Sequence, residues 1–291
     1  MQHRLRTLVA LAAAATCASL ALTNSTTGQE APEAALRGLF EGAGIRFEPE
    51  LGRLSIDGAI ATRDDLLEFL LVGPNGSGYE SLLRTDVDPT LLNTALLALG
   101  LEAGRNARWV YADDGAAVAP PEGQRADKGG RWLEGRDVRL DAPDGDGLLI
   151  YVGWSKDGED FFFRIEDLIG NVEALKPLPR QRWTYIGSRF VPDPDSDGEL
   201  FLAALEQNLV NIAWFPDGNT LLTSSAPVCE RQDIWAGNPW IVPDPGTPVR
   251  IVFSRELVHA LPEELAAQLP VIPTLEAIER EESSPGEDEE G

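Results

Sequence analysis

The chain has 291 residues, 24 basic against 48 acidic side chains, a formal net charge of −24, two cysteines and two histidines. That charge excludes a broad attraction to phosphate backbones or anionic headgroups, which needs clustered Lys and Arg, so nucleic acid is not an expected partner. The shortage of Cys and His narrows the metal and nucleophile chemistry from the outset.

Reading from the N-terminus, His3, Arg4 and Arg6 precede an apolar run from Leu8 that continues past Thr16 and Cys17 to Leu22, followed by polar Asn24 to Gln29. Basic, apolar, polar in that order predicts a secretory signal over residues 1–25, with Ser19-Leu20-Ala21 at cleavage spacing. A retained anchor would need roughly 18 strongly apolar residues, and this run is shorter and mostly alanine. The expected destination is the periplasm or the cell surface. Cys17 offers lipidation as an alternative, and membrane association is expected only in that case, since Ala14-Ala15-Thr16 departs from the usual attachment pattern.

Residues 34–258 are expected to fold as one domain. Gly follows Asp or Asn repeatedly, at Asp57-Gly58, Asn75-Gly76, Asp146-Gly147, Asp157-Gly158, Asp197-Gly198 and Asp217-Gly218. Such pairs suit tight hairpins. Flanking apolar runs predict three of them: Leu66 to Val72 against Tyr79 to Leu83, Leu148 to Trp154 against Asp160 to Ile165, and Asn208 to Phe215 against Thr220 to Thr223. A helix is predicted over about residues 89–99, with Asp88 as N-cap, Pro89 in the first turn and Gly100 at its end. Its many leucines predict burial against the sheet. The fold class expected is therefore α+β, a mainly antiparallel twisted sheet with one buried helix and a short C-terminal helix. Residues 112–131 read as a long loop. The last part divides into a helical segment over 259–275, with its helix from about Pro262 to Leu269, and an acidic tail over 276–291. That tail holds eight carboxylates against Arg280 alone, a net charge of −7, and is expected to be disordered.

The residues that could carry chemistry are few. With Cys17 in the signal, Cys229 is the single mature cysteine and reads as a small core residue. His259 is the single mature histidine and lies in an apolar boundary segment, which suits packing better than a Ser-His-Asp site. Together they offer too few ligands for zinc. Asp193, Asp195 and Asp197 alternate ahead of Gly198 as in the opening of a calcium loop. Against that, Ala204 stands where a bidentate Glu belongs, and the flanks read as strands. A solvated acidic turn is the alternative. Gly73-Pro74-Asn75-Gly76-Ser77-Gly78 lacks the Lys-Ser or Lys-Thr of a phosphate loop and reads as a hairpin loop. After it, Tyr79, Glu80 and Ser81 form a candidate ligand-binding group in an apolar region, although neighbouring Glu80 and Ser81 would point to opposite faces of a strand. The seven tryptophans could serve as stacking platforms for sugars or as core.

Several segments taken together resemble the bacterial YdjY domain. They are Leu70-Leu71-Val72-Gly73-Pro74-Asn75-Gly76, Tyr79-Glu80-Ser81-Leu82-Leu83, Asp88-Pro89 with the leucine-rich helix, Gly153-Trp154, Ile165-Glu166-Asp167-Leu168, Trp183 to Phe190, and Trp235-Ala236 leading to Val249. The resemblance spans about residues 47–253 and implies a domain without an established activity. Some members carry the label "ferredoxin-like", but a cluster normally takes four cysteines, so no iron–sulfur cluster is expected here. Tyr79 stands where several members have histidine. No catalytic residue is assigned, and no cofactor is expected beyond a possible calcium ion. The expectation is an exported binding or scaffolding domain whose partner is an envelope protein or a small ligand. A calcium-stabilised module and a hydrolase-like site near Glu80 and Ser81 are the alternatives.

Overall fold

The Leu-, Ile- and Val-rich runs build eight strands that join edge to edge in a ring. The computed structural model describes residues 30–118, 136–216 and 218–272, with side chains from residue 35 onward. The expected signal, the acidic tail, most of the long loop and Trp132 lie outside the described residues. The chain divides after Leu39, and the strands all belong to the unit that begins at Phe40.

In chain order the ring strands are β1 (Arg53–Ile60), β2 (Phe69–Val72), β3 (Ser81–Arg84), β4 (Gly147–Lys156), β5 (Trp183–Tyr185), β6 (Asn208–Asn211), β7 (Leu222–Thr223) and β8 (Pro248–Ser254). Around the ring the order is β1-β8-β4-β5-β7-β6-β2-β3, and β3 returns to β1. The pairings β7–β6 and β2–β3 are parallel and the other six antiparallel. The result is a closed, mixed, eight-stranded barrel with four short helices: α1 (Glu30–Gly42), α2 (Pro89–Ala98), α3 (Leu202–Glu206) and α4 (Glu263–Ala266).

This corrects the expected α+β sheet with one buried helix. Of the three hairpins, only the one from β4 to Glu159–Arg164 pairs as predicted. The runs around β2 and β3, and around β6 and β7, lie parallel. Their strands have at most four residues, about 13 Å, and the eight residues between β2 and β3 can span up to about 28 Å, enough to return to the same end. Short strands thus allow a parallel crossover where the turn residues suggested a hairpin.

Closure rests on one further departure. Asp57-Gly58 is not a turn but the middle of β1, and a Cβ on Gly58 would lie 2.7 Å from the Arg84 carbonyl of β3 and 2.6 Å from Ile251 Cδ1 of β8. The missing side chain lets β3 approach. Only Ala59–Arg84 and Ile60–Leu83 pair there, helped by the Thr85 hydroxyl donating to the Asp57 carbonyl at 2.7 Å.

Alternation along the strands separates two apolar faces. Leu54, Ile56, Leu148, Ile150, Val152, Trp183, Tyr185, Ile251 and Phe253 belong to the main core, whereas Leu149, Tyr151 and Val252 pack outside it with Leu265 of α4. Helix α2 is capped as its sequence indicates, with the Asp88 carboxylate accepting from the Thr90 and Leu91 amides at 2.8 and 3.0 Å. Leu92, Ala95 and Leu96 are buried, but Leu97 is 49 % exposed, so the helix lies on the surface with one face covered.

A charged group also sits in the core. Glu166, fully buried in the short 3-10 turn Ile165–Leu168, accepts from Arg164 Nη2 at 2.8 Å and from the Trp183 indole at 3.2 Å. Its other oxygen lies 3.6 Å from Arg180 Nη1. Arg164 Nη2 also donates to the Gln181 carbonyl at 2.7 Å, so one guanidinium ties the turn to the chain entering β5.

Two stability outcomes follow. Gly58→Ala forces backbone and Ile251 apart and is expected to cost about 1–3 kcal/mol in urea unfolding. Glu166→Ala leaves the half-buried Arg164 without its counter-charge and the Trp183 indole without its acceptor, and is expected to cost about 2–4 kcal/mol, with Glu166→Gln recovering part by keeping an acceptor for Trp183. An unchanged unfolding midpoint in either alanine variant would contradict the corresponding account.

Candidate functional site

At one rim of the barrel the end of β8 and the starts of β4 and β5 lie side by side, since Ser254 pairs with Leu149 and Trp183 with Leu148. The residues flanking those strand ends, with Leu101 beyond α2, enclose a cleft of about 340 Å³ lined by Leu101, Gly145, Asp146, Gly147, Arg182, Arg255 and Glu256. Its walls need glycine. A Cβ on Gly147 would lie 2.7 Å from Arg182 Cβ, and one on Gly145 would lie 2.6 Å from Gly104 Cα.

Both arginines are fixed through a single nitrogen. Arg182 Nη1 donates to the Gly147 carbonyl at 3.0 Å and the Arg255 carbonyl at 2.8 Å. Arg255 Nη1 donates to the Leu99 and Gly100 carbonyls at 3.0 and 2.9 Å, satisfying carbonyls left over at the end of α2. Among the described residues no acceptor bonds Nε or Nη2 of either side chain. That edge of a guanidinium matches the two oxygens of a carboxylate or phosphate. On the acidic side, the Asp146 carboxylate accepts from the Glu102 amide at 3.0 Å through Oδ2. The lining therefore carries two positive and two negative groups, in a chain whose net charge is −24.

The candidates drawn from the sequence fall elsewhere. Tyr79 and Glu80 lie on the 3-10 turn Gly78–Glu80, with Tyr79 73 % exposed and its phenol held above the ordinary value by a hydrogen bond to the Glu80 carboxylate and by its charge. Ser81 begins β3, is fully buried, and its hydroxyl donates to the Leu83 carbonyl at 2.9 Å. Tyr79 and Glu80 thus stay together at the surface, while Ser81 is turned into the core. Asp193, Asp195 and Asp197 occupy the tip of the hairpin Phe190–Pro192 with Glu199–Phe201. Asp193 spends its oxygens on its own turn, accepting from the Ser196 hydroxyl at 2.7 Å and the Asp195 amide at 2.9 Å, and both bonds hold its carboxyl below the usual range. Among the described residues no three His, Cys, Asp or Glu side chains gather where a metal could sit. His259 is exposed.

Of the tryptophans, 154, 183, 214 and 235 are buried, Trp109 is half-buried, and Trp240 is 93 % exposed. No helix among the described residues is long and apolar enough to cross a membrane. Sequence reasoning missed Arg182 and Arg255. The available signal was weak: Arg182 belongs to the basic run Arg180-Gln181-Arg182, and Asp144-Gly145-Asp146-Gly147 looks like a turn until it is placed opposite them. Comparison with protein-family models, curated proteins and solved structures returned no match to this chain.

Cys229 is fully buried on the short turn Pro227–Glu230, and burial pushes its thiol up to about 12 from an ordinary value of 9.0. The folded protein is expected to resist a thiol reagent at pH 8 and to react once unfolded. Because the unfolded thiol loses its proton first, this group's contribution to stability is intact below pH 9.0 and declines as pH rises toward about 12. Rapid labelling of the folded protein would contradict the burial.

Proposed function

We propose that this chain is an exported, YdjY-like envelope domain that binds its ligand without transforming it, and that the ligand presents a carboxylate or similar oxyanion to Arg182 and Arg255. Export is supported by the basic, apolar, polar order of residues 3–29, and the family reading by the segments from Leu70 to Val249.

The observation that carries the binding reading is the anchoring of the two guanidiniums. Each has Nη1 held by two backbone carbonyls. Rigid donors lose little rotamer freedom on binding, so more of the contact energy appears as affinity. Binding rather than catalysis is supported by the lining itself: its ionisable groups are two arginines and two carboxylates, and it includes no hydroxyl, thiol or imidazole. The partner is then a small acidic molecule or an acidic group on an envelope protein.

Titration of the folded protein with propionate, followed at the Gly145 and Gly147 amides by NMR, tests this. Two charge-assisted contacts predict saturable binding with a Kd of about 1 mM. Arg255→Lys keeps the charge but not the planar fork, and is expected to weaken binding about tenfold. Arg182→Gln should abolish it, with the unfolding midpoint measured to confirm that the variant folds. Shifts that do not saturate, or that chloride reproduces, would refute the proposal.

A further inference from the structure

A second cationic group lies along the same piece of chain. Asp141 is surrounded by three arginines: Arg105 Nη2 at 3.2 Å, Arg139 Nη1 at 3.2 Å and Arg108 Nε at 3.9 Å. One carboxylate against three guanidiniums leaves a local excess of two positive charges, in a chain of net charge −24. The three are not equivalent. Arg105 is committed, donating also to the Asn106 and Ala142 carbonyls at 3.2 and 3.0 Å. Arg139 makes one hydrogen bond, to Asp141, and Arg108 makes none among the described residues. Arg108 and Arg139 are 46 % and 54 % exposed and have most of their donors turned to solvent.

What connects this group to the cleft is a two-stranded ribbon. Residues 102–108 run antiparallel to 141–146: the Glu102 amide donates to the Asp146 carboxylate, Arg105 and Asp144 exchange backbone hydrogen bonds at 2.6 and 2.9 Å, and Arg108 is opposite Asp141. Gly145 of the cleft wall and Asp141 are thus four residues apart along one segment, which bends at Gly145, so their backbones are at most about 13 Å apart.

We propose that the ligand of the cleft is two-headed. One acidic group lies between Arg182 and Arg255, and a second is held by Arg108 and Arg139 over Asp141, at the far end of the four-residue stretch that leads back to the cleft wall. This inference rests on the oxyanion reading of the cleft. The net charge limits the rest of the ligand: a long polyanion would be repelled by the acidic surface beyond the ribbon, whereas a compact diacid meets two places where the local charge is balanced or positive. Joining the two heads makes the second contact intramolecular, so affinity should rise sharply once the spacer reaches and fall again when it overshoots.

The experiment is a titration of the folded protein with linear dicarboxylates from succinate to dodecanedioate, alongside propionate, followed at the Gly145 and Gly147 amides. For the wild-type protein we expect an affinity optimum within the series, at a spacer shorter than about 13 Å, and about tenfold tighter than propionate. Arg108→Gln with Arg139→Gln, both on exposed side chains, should flatten the length dependence and leave propionate binding at the cleft unchanged. If propionate binds but the series is flat in the wild type, or keeps its optimum in the double variant, the two-headed ligand is wrong and the cleft reading survives. If propionate does not bind, the cleft reading fails and this inference falls with it.

Discussion

Closure of the barrel depends on the contact between β3 and β1, which is only two residue pairs long. The joins of β4 with β5, β5 with β7 and β7 with β6 are equally short, and the long ladders are those of β8 with β1 and β4, but only the β3–β1 contact turns the sheet into a ring. The last seam joins because the chain at position 58 has no side chain. With any Cβ there, the Arg84 carbonyl and the end of Ile251 would have to retreat, and the edges of β1 and β3 would be left unpaired. The rim cleft depends on a different part of the ring: the ends of β8, β4 and β5 are adjacent because these strands pair directly, and that adjacency brings Arg182, Arg255 and Gly147 around one cleft.

What could be read from the sequence was local. The Asp88 cap, the proline after it and the leucine spacing mark α2 because these signals act within one helical turn. The Asp157-Gly158 hairpin is legible for the same reason. The two parallel pairs were not legible, since the turn residues between β2 and β3 and between β6 and β7 are those of a hairpin. Strand direction there is decided by where each short strand finds a free edge. Asp57-Gly58 shows the same ambiguity: glycine after aspartate suits a turn, but it also suits a strand crossed closely by a neighbour, and one residue does not distinguish them.

The site was illegible for a related reason. Tyr79, Glu80 and Ser81 stand out as polar residues in an apolar run, but a turn followed by a strand start leaves Tyr79 and Glu80 together outside and turns Ser81 into the core. Arg182 and Arg255 are 73 positions apart, and their roles depend on carbonyls at Gly147 and Arg255 for the one and at Leu99 and Gly100, the end of α2, for the other. Backbone acceptors leave no trace in side-chain motifs. Only the glycines lining the approach hint that the chain passes close to itself there.

The position of β8 has a consequence for how the chain is made. This strand lies between β1 and β4, pairing with seven residues of one and five of the other, yet it comes last among the eight in sequence. While the ribosome is still adding residues before Pro248, β1 and β4 have no neighbour in common and the ring has a gap where its longest ladders belong. Folding therefore cannot proceed strand by strand from the N-terminus, and the ring stays open until β8 has been made. Until then the edges of β1 and β4 carry unpaired backbone groups, so the strand that closes the longest ladders is also the one that removes the most exposed edge.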